Sequence, residues 1–188
     1  MAIYEDKHFE NLIYTTEQTQ EVFENCTFSK CDFSNQRLYS CQFNDCSFSD
    51  CNLSMTDLSQ STMNNVRFKN CKILGVKFNH CHDFIFEVSF DNCMLDYSSF
   101  EKRKMSKTTF KNSSLKGVDF GSTDIRQSKF IGCDLSEAIF YNTNIQGADF
   151  SSSHNYIIDL NENQVKKARF SKDGLAGLLQ QFDIVIEH

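Results

Sequence analysis

Proline and tryptophan are absent from this chain, and glycine is scarce, at 7 in 188 residues. No apolar run approaches the roughly 20 residues that span a bilayer, so no membrane-spanning helix and no membrane association are expected. The N-terminus, Met1-Ala2-Ile3-Tyr4-Glu5-Asp6-Lys7, lacks the charged-then-apolar layout of a signal peptide, and a cytoplasmic protein is expected. The sequence has no phosphate-cradling glycine loop, no nucleophile elbow and no zinc spacing, so neither an enzyme nor a bound cofactor is expected. A formal charge of −6 argues against a general nucleic-acid binder. What the chain does have is phenylalanine, 19 of them, a bias that suits one residue type repeated in one environment.

Between Phe90 and Phe150 every fifth residue is large and apolar. Phe90, Phe110, Phe130 and Phe150 recur at intervals of twenty, as do Phe100, Phe120 and Phe140, and Leu95, Leu115 and Leu135. An earlier block runs from Phe23 through Phe28, Phe33 and Leu38 to Phe78 in the same step. Neither the helical period of 3.6 nor the strand period of 2 returns one phase every fifth residue. A five-residue period inside a twenty-residue one means four equivalent sides per coil, the mark of a solenoid. The phenylalanines Phe90, Phe100, Phe110, Phe120, Phe130, Phe140 and Phe150 are expected to form its core. Residues 1–20 are read as an N-terminal cap, 21–152 as the coil and 153–188 as a C-terminal cap.

All nine cysteines share one phase, two residues before a centre or its continuation, where serine, threonine, valine and alanine also occur. They read as small buried fillers, and their odd number in a cytosolic chain argues for free thiols. Between Phe78 and Phe90 the register slips by two, within 79–89. Either Phe84 is a bridging centre reached in two six-residue steps, or a short loop is thrown out near His80–Glu87. His80, Cys81, His82 and Asp83 adjoin there, but an extended chain sends neighbours to opposite sides, so no metal is expected. Arg103 occupies the small inward phase before Met105. A guanidinium cannot stay unpaired in so narrow a core, so a local distortion is expected to carry Arg103 to solvent beside Lys102, Lys104, Lys107 and Lys111. Past Phe150, Ser171 is expected to cap a helix bearing Leu175, Leu178, Leu179 and Phe182 at i, i+3, i+4 and i+7. Ile184-Val185-Ile186 reads as a final strand. With the apolar helix positions, Ile184 and Ile186 are the candidates for joining two chains in a homodimer.

Units such as Cys133-Asp134-Leu135-Ser136-Glu137 and Ala148-Asp149-Phe150-Ser151-Ser152 resemble the pentapeptide repeat. That resemblance implies an all-β fold, the right-handed quadrilateral β-helix, here with a short C-terminal helix and strand. The layout is also similar to the Qnr-type quinolone-resistance and microcin immunity proteins, through the length, the slip near mid-chain and the ending Asp159-Leu160, Gly174-Leu175, Ile184-Val185-Ile186. The second resemblance implies a dimeric rod that binds DNA gyrase or topoisomerase IV as a DNA mimic and makes no direct contact with nucleic acid. Two departures stand against it. A surface replacing duplex DNA approaches one negative charge per about 1.7 Å of axis. Residues 21–152 carry sixteen acids and fourteen bases, a net of −2, over a shaft of about 32 Å at one strand spacing per coil. There is also room at the slip for only a bulge or a very short loop, where the Qnr proteins carry sizeable ones.

Overall fold

The computed structural model describes residues 1–15 and 17–185. The chain winds as a four-sided coil in which each side pairs in parallel with the same side of the next turn. On the first side, strands β1 (Ile3–Glu5), β2 (Val22–Glu24), β3 (Gln42–Asn44) and β4 (Thr62–Lys69) follow one another in register, Tyr4 on Phe23 on Phe43 on Met63. β4 turns the corner onto the second side and pairs there with β5 (Phe86–Asp91), Phe68 on Phe90. The second-side ladder goes on through Phe110 and Phe130. Single parallel bridges, Asp32 to Asn52 to Lys72 to Met94 and Lys77 to Ser99 to Asp119, carry the third and fourth sides.

Two perpendicular sets of aromatic contacts fill the shaft, and both follow from its geometry. The strand spacing of about 4.8 Å places identical rings one above another in offset stacks. Along the second side successive rings lie 4.5 to 5.5 Å apart and nearly parallel, from Phe28 on Phe48 to Phe150 on Phe170. Adjacent sides of a square meet at right angles, so rings on neighbouring sides meet edge to face, as with Phe23 and Phe28 at 5.4 Å and 71°, and rings facing each other across the shaft do so too, as with Phe110 and Phe120 at 5.8 Å and 84°. Phe100, Phe110, Phe120 and Phe150 have no exposure, and Phe90, Phe130 and Phe140 are also buried.

In most units the fifth residue makes the corner, in the left-handed region at φ of about +50 to +68°. Asparagine and aspartate tolerate that conformation. Many corners hold them, and they bond from coil to coil, as in Asp50 to Asn70 to Asn92. Where Gly117 makes the corner, at φ +62, a Cβ would also lie 2.6 Å from the Tyr97 ring that folds over it.

The coil is longer than its clean period. In the N-terminal segment expected as a cap, the described residues 1–15 and 17–20 form a first turn of the ladder, with Tyr4, Phe9 and Tyr14 stacked on Phe23, Phe28 and Phe33. At the other end pairing continues past 152, through Asn144 to Gln164 and Asp149 to Arg169, with Phe170 closing the second-side stack. The period is hard to see there because Asn163 holds the small inward position, accepting from Thr143 N and donating to Phe140 O. The expected long amphipathic helix shrinks to α1 (Ala176–Leu179) and a 3-10 turn, Gln180–Phe182. Ser171 Oγ accepts from Gly174 N, in the turn leading to α1. Ile184 and Val185 form no strand; the last coil is tied to α1 by Ile158 N donating to Gly177 O. Ile186 lies outside the described residues.

Candidate interaction surface

Inside the shaft the chemistry is structural. The small inward residue does more than fill space: its hydroxyl or thiol donates to a main-chain carbonyl of the preceding coil. Thr123 Oγ1 donates to Phe100 O at 2.9 Å, Ser153 Oγ to Phe130 O at 2.8 Å and Cys46 Sγ to Phe23 O at 3.4 Å. Its Oγ also accepts from the residue below, as Ser113 does from Cys93 N. Serine, threonine and cysteine therefore recur because they are small and carry a donor. All nine cysteines are free and buried. Burial pushes the Cys41 and Cys46 thiols up to about 11 and Cys81 up to about 12.

Of the two readings of the mid-shaft interruption, the short loop is the one observed, and the expectation for Arg103 is corrected. Phe84 is no bridging centre; it is 82% exposed. Cys81 fills the inward slot, residues 82–85 loop out, and Phe86 returns as the centre paired with Met63. The step from Phe86 to Val88 then lacks the corner residue that Asn65 supplies between Met63 and Val66. Arg103 does not reach solvent. Its side chain is 2% exposed, because the loop brings acceptors to it in the interior. Nη1 donates to Cys81 O at 2.9 Å and Asp83 Oδ1 at 2.7 Å, Nη2 donates to His82 O at 2.9 Å, and the guanidinium lies 4.3 Å from the Phe86 ring centre. Desolvation lowers its pKa, opposed by Cys81 and Asp83. Among the described residues no three His, Cys, Asp or Glu side chains gather as a metal cage. At this slip Asp83 is bound to Arg103, and His82 Nδ1 accepts from Phe84 N.

The outer sides carry interleaved charges. Lys111 pairs with Asp91, Lys116 with Glu137, Arg126 with Asp124, Arg169 with Asp149 and Arg37 with Asp57. The basic cluster is partly neutralised too, with Lys102 on Glu101 at 2.6 Å. At the C-terminal end, Leu178 is buried and Leu179 half-buried, while Leu175, Phe182, Ile184 and Val185 are exposed beside an open groove against Tyr156 and Ile157. No helix among the described residues is long and apolar enough to cross a membrane.

A parallel four-sided coil, packed solid with stacked aromatics and bearing its variable residues outside, defines a β-solenoid protein. The sequence matches the pentapeptide repeat region over residues 22–84 and 84–170, and the chain belongs to that family. No curated protein matches the sequence closely enough to count as a relative. Among solved structures, the chain is similar to full-length QnrB1, a plasmid-mediated fluoroquinolone resistance protein, at 20% identity and TM-score 0.64, covering 97% of this chain and 100% of that one. A trypsin-treated QnrB1 variant gives 20% identity and TM-score 0.66 over 98% and 99%. HetL, a pentapeptide repeat protein involved in heterocyst differentiation regulation in Nostoc sp. strain PCC 7120, gives 12% identity and TM-score 0.46 over 92% and 90%. The likeness to QnrB1 establishes the shared coil.

Proposed function

We propose that this chain is a non-enzymatic binding module of the cytoplasm, a rigid rod that docks a protein along its outer sides, and that a type II topoisomerase is its partner. The supporting observation is the end-to-end match of its shape with a fluoroquinolone resistance protein. In this reading two chains join through the exposed Leu175, Phe182 and Ile184 and the half-buried Leu179. A gyrase supercoiling assay, with and without a quinolone, tests it. Inhibition of supercoiling, or its protection from the drug, at micromolar protein supports topoisomerase binding. No effect of either kind contradicts it.

A second reading, the same solenoid with a different protein partner and no gyrase activity, is favoured by the charge pattern. DNA mimicry needs acids in a continuous run. Here outward acids such as Asp91, Asp124, Asp149 and Glu137 sit against lysine or arginine. A null result in the supercoiling assay selects this reading.

A further inference from the structure

One edge of the shaft departs from this interleaving. It is the edge between the first and second sides, made by the residue after each first-side centre and the corner residue that follows. In the N-terminal half it carries the exposed acids Glu5, Asp6, Glu24, Asp45 and Glu87, and no base. In the C-terminal half it carries the exposed bases Lys107, Arg126, Lys166 and Lys167, and no acid. Main-chain bonds hold each half as a column: Asp6 N to Glu24 O and Asp45 N to Asn64 O at one end, Lys107 N to Arg126 O and Gly147 N to Lys166 O at the other. Of the four bases only Arg126 is in an ion pair among the described residues, with Asp124 on the adjoining flank. The edge is thus a rod of about 38 Å, at one strand spacing per coil, negative at one end and positive at the other.

We infer that this edge pairs with the same edge of a second copy, antiparallel, about a two-fold axis near the Phe86 rung. The occupant follows from complementarity that the chain itself displays. Antiparallel placement about that axis sets Glu5 and Asp6 against Lys166 and Lys167, and Asp45 against Arg126, at both ends at once, as an isologous contact requires. Parallel placement sets like on like. The pairing does not use the Phe84 loop, which rises at the opposite edge of the same side, or the C-terminal apolar groove. The edge is narrow, so the contact falls below the area of a permanent dimer, and association is concentration-dependent and screened by salt. Glu87 lies on the axis and faces its own copy, the one repulsive element.

Sedimentation of the full chain carrying Phe182→Asp separates this contact from any C-terminal dimer. At low salt and high micromolar concentration its average mass is expected to exceed that of the monomer. At roughly 0.5 M salt, where exposed charges are screened within about 4–5 Å, it is expected to return to monomer. In that background, chains with Glu5→Lys and Asp6→Lys, or with Lys166→Glu and Lys167→Glu, each stay monomeric when alone, and an equimolar mixture of the two associates again. Glu87→Gln tightens association at low salt. A chain that stays monomeric at low salt overturns the inference, which is also the outcome if the edge serves a foreign acidic protein or a nucleic acid. So does association indifferent to salt, or a mixture that fails to associate while both variants keep the native circular dichroism.

Discussion

At the residue scale each side chain is set by its place in the five-residue unit, and the consequence of changing it is set there too. Phe120 stacks on Phe100 and Phe140 and meets Phe110 and Phe130 edge-on, with no exposure. Phe120→Ala leaves a ring-sized void between rigid rungs and is expected to cost about 3–5 kcal/mol in a denaturant melt; an unchanged midpoint contradicts the inward stacking. The inward thiols make a pH prediction. A thiol whose folded pKa is raised favours the folded state below its unfolded value, near 9, and that contribution is lost as pH rises toward the folded value. With Cys41 and Cys46 pushed up to about 11 and Cys81 to about 12, stability is expected to fall steadily above about pH 9. The denaturation midpoint measured from pH 7 to 11 checks this. The phase of these residues is plain in the sequence. Their donor role is not, because the accepting carbonyl belongs to a residue 23 positions earlier, as with Cys46 and Phe23.

At the scale of elements two local devices interrupt the repeat. The loop at 82–85 is fastened from inside by Arg103, whose planar fork reaches Cys81 O, His82 O and Asp83 at once. Arg103→Ala strips these buried carbonyls of their donor and opens a gap beside Phe86, and is expected to cost about 3 kcal/mol. Arg103→Lys recovers little, since an ammonium cannot reproduce the fork. Asp83→Asn is expected to be nearly silent, its carboxylate being 95% exposed. Equal losses for the two alanine and asparagine variants in a urea melt contradict this division. The second device is the close seat of α1. A Cβ at Gly177 would fall 1.9 Å from the Tyr156 carbonyl oxygen, a main-chain atom that cannot swing aside. Gly177→Ala is therefore expected to unseat the helix, seen as rapid proteolysis after residue 170 with the coil intact. The slip itself is visible in the sequence as a broken count. Which phenylalanine returns to the core is not, because that choice depends on where Arg103 finds acceptors one coil later.

At the scale of the molecule the fold is the part most legible in sequence, since a period of five repeated over the chain leaves one architecture. The length of the coil was less so, because the first turn uses tyrosine at Tyr4 and Tyr14 and the last uses Asn163 in the small slot. Surface function is the least legible. Neighbours on the outside lie about twenty residues apart, as Lys111 does from Asp91, so a net charge of −2 over residues 21–152 conceals both the paired sides and the one divided edge. All of this rests on the inward phase of the repeat, and thiol counting with a chromogenic disulfide reagent tests it most directly. Nine cysteines at one phase, each at most 4% exposed, are expected to stay unreactive in the native protein at neutral pH and to react in full, as nine, in guanidinium. Several thiols reacting at once in the native chain would contradict the account.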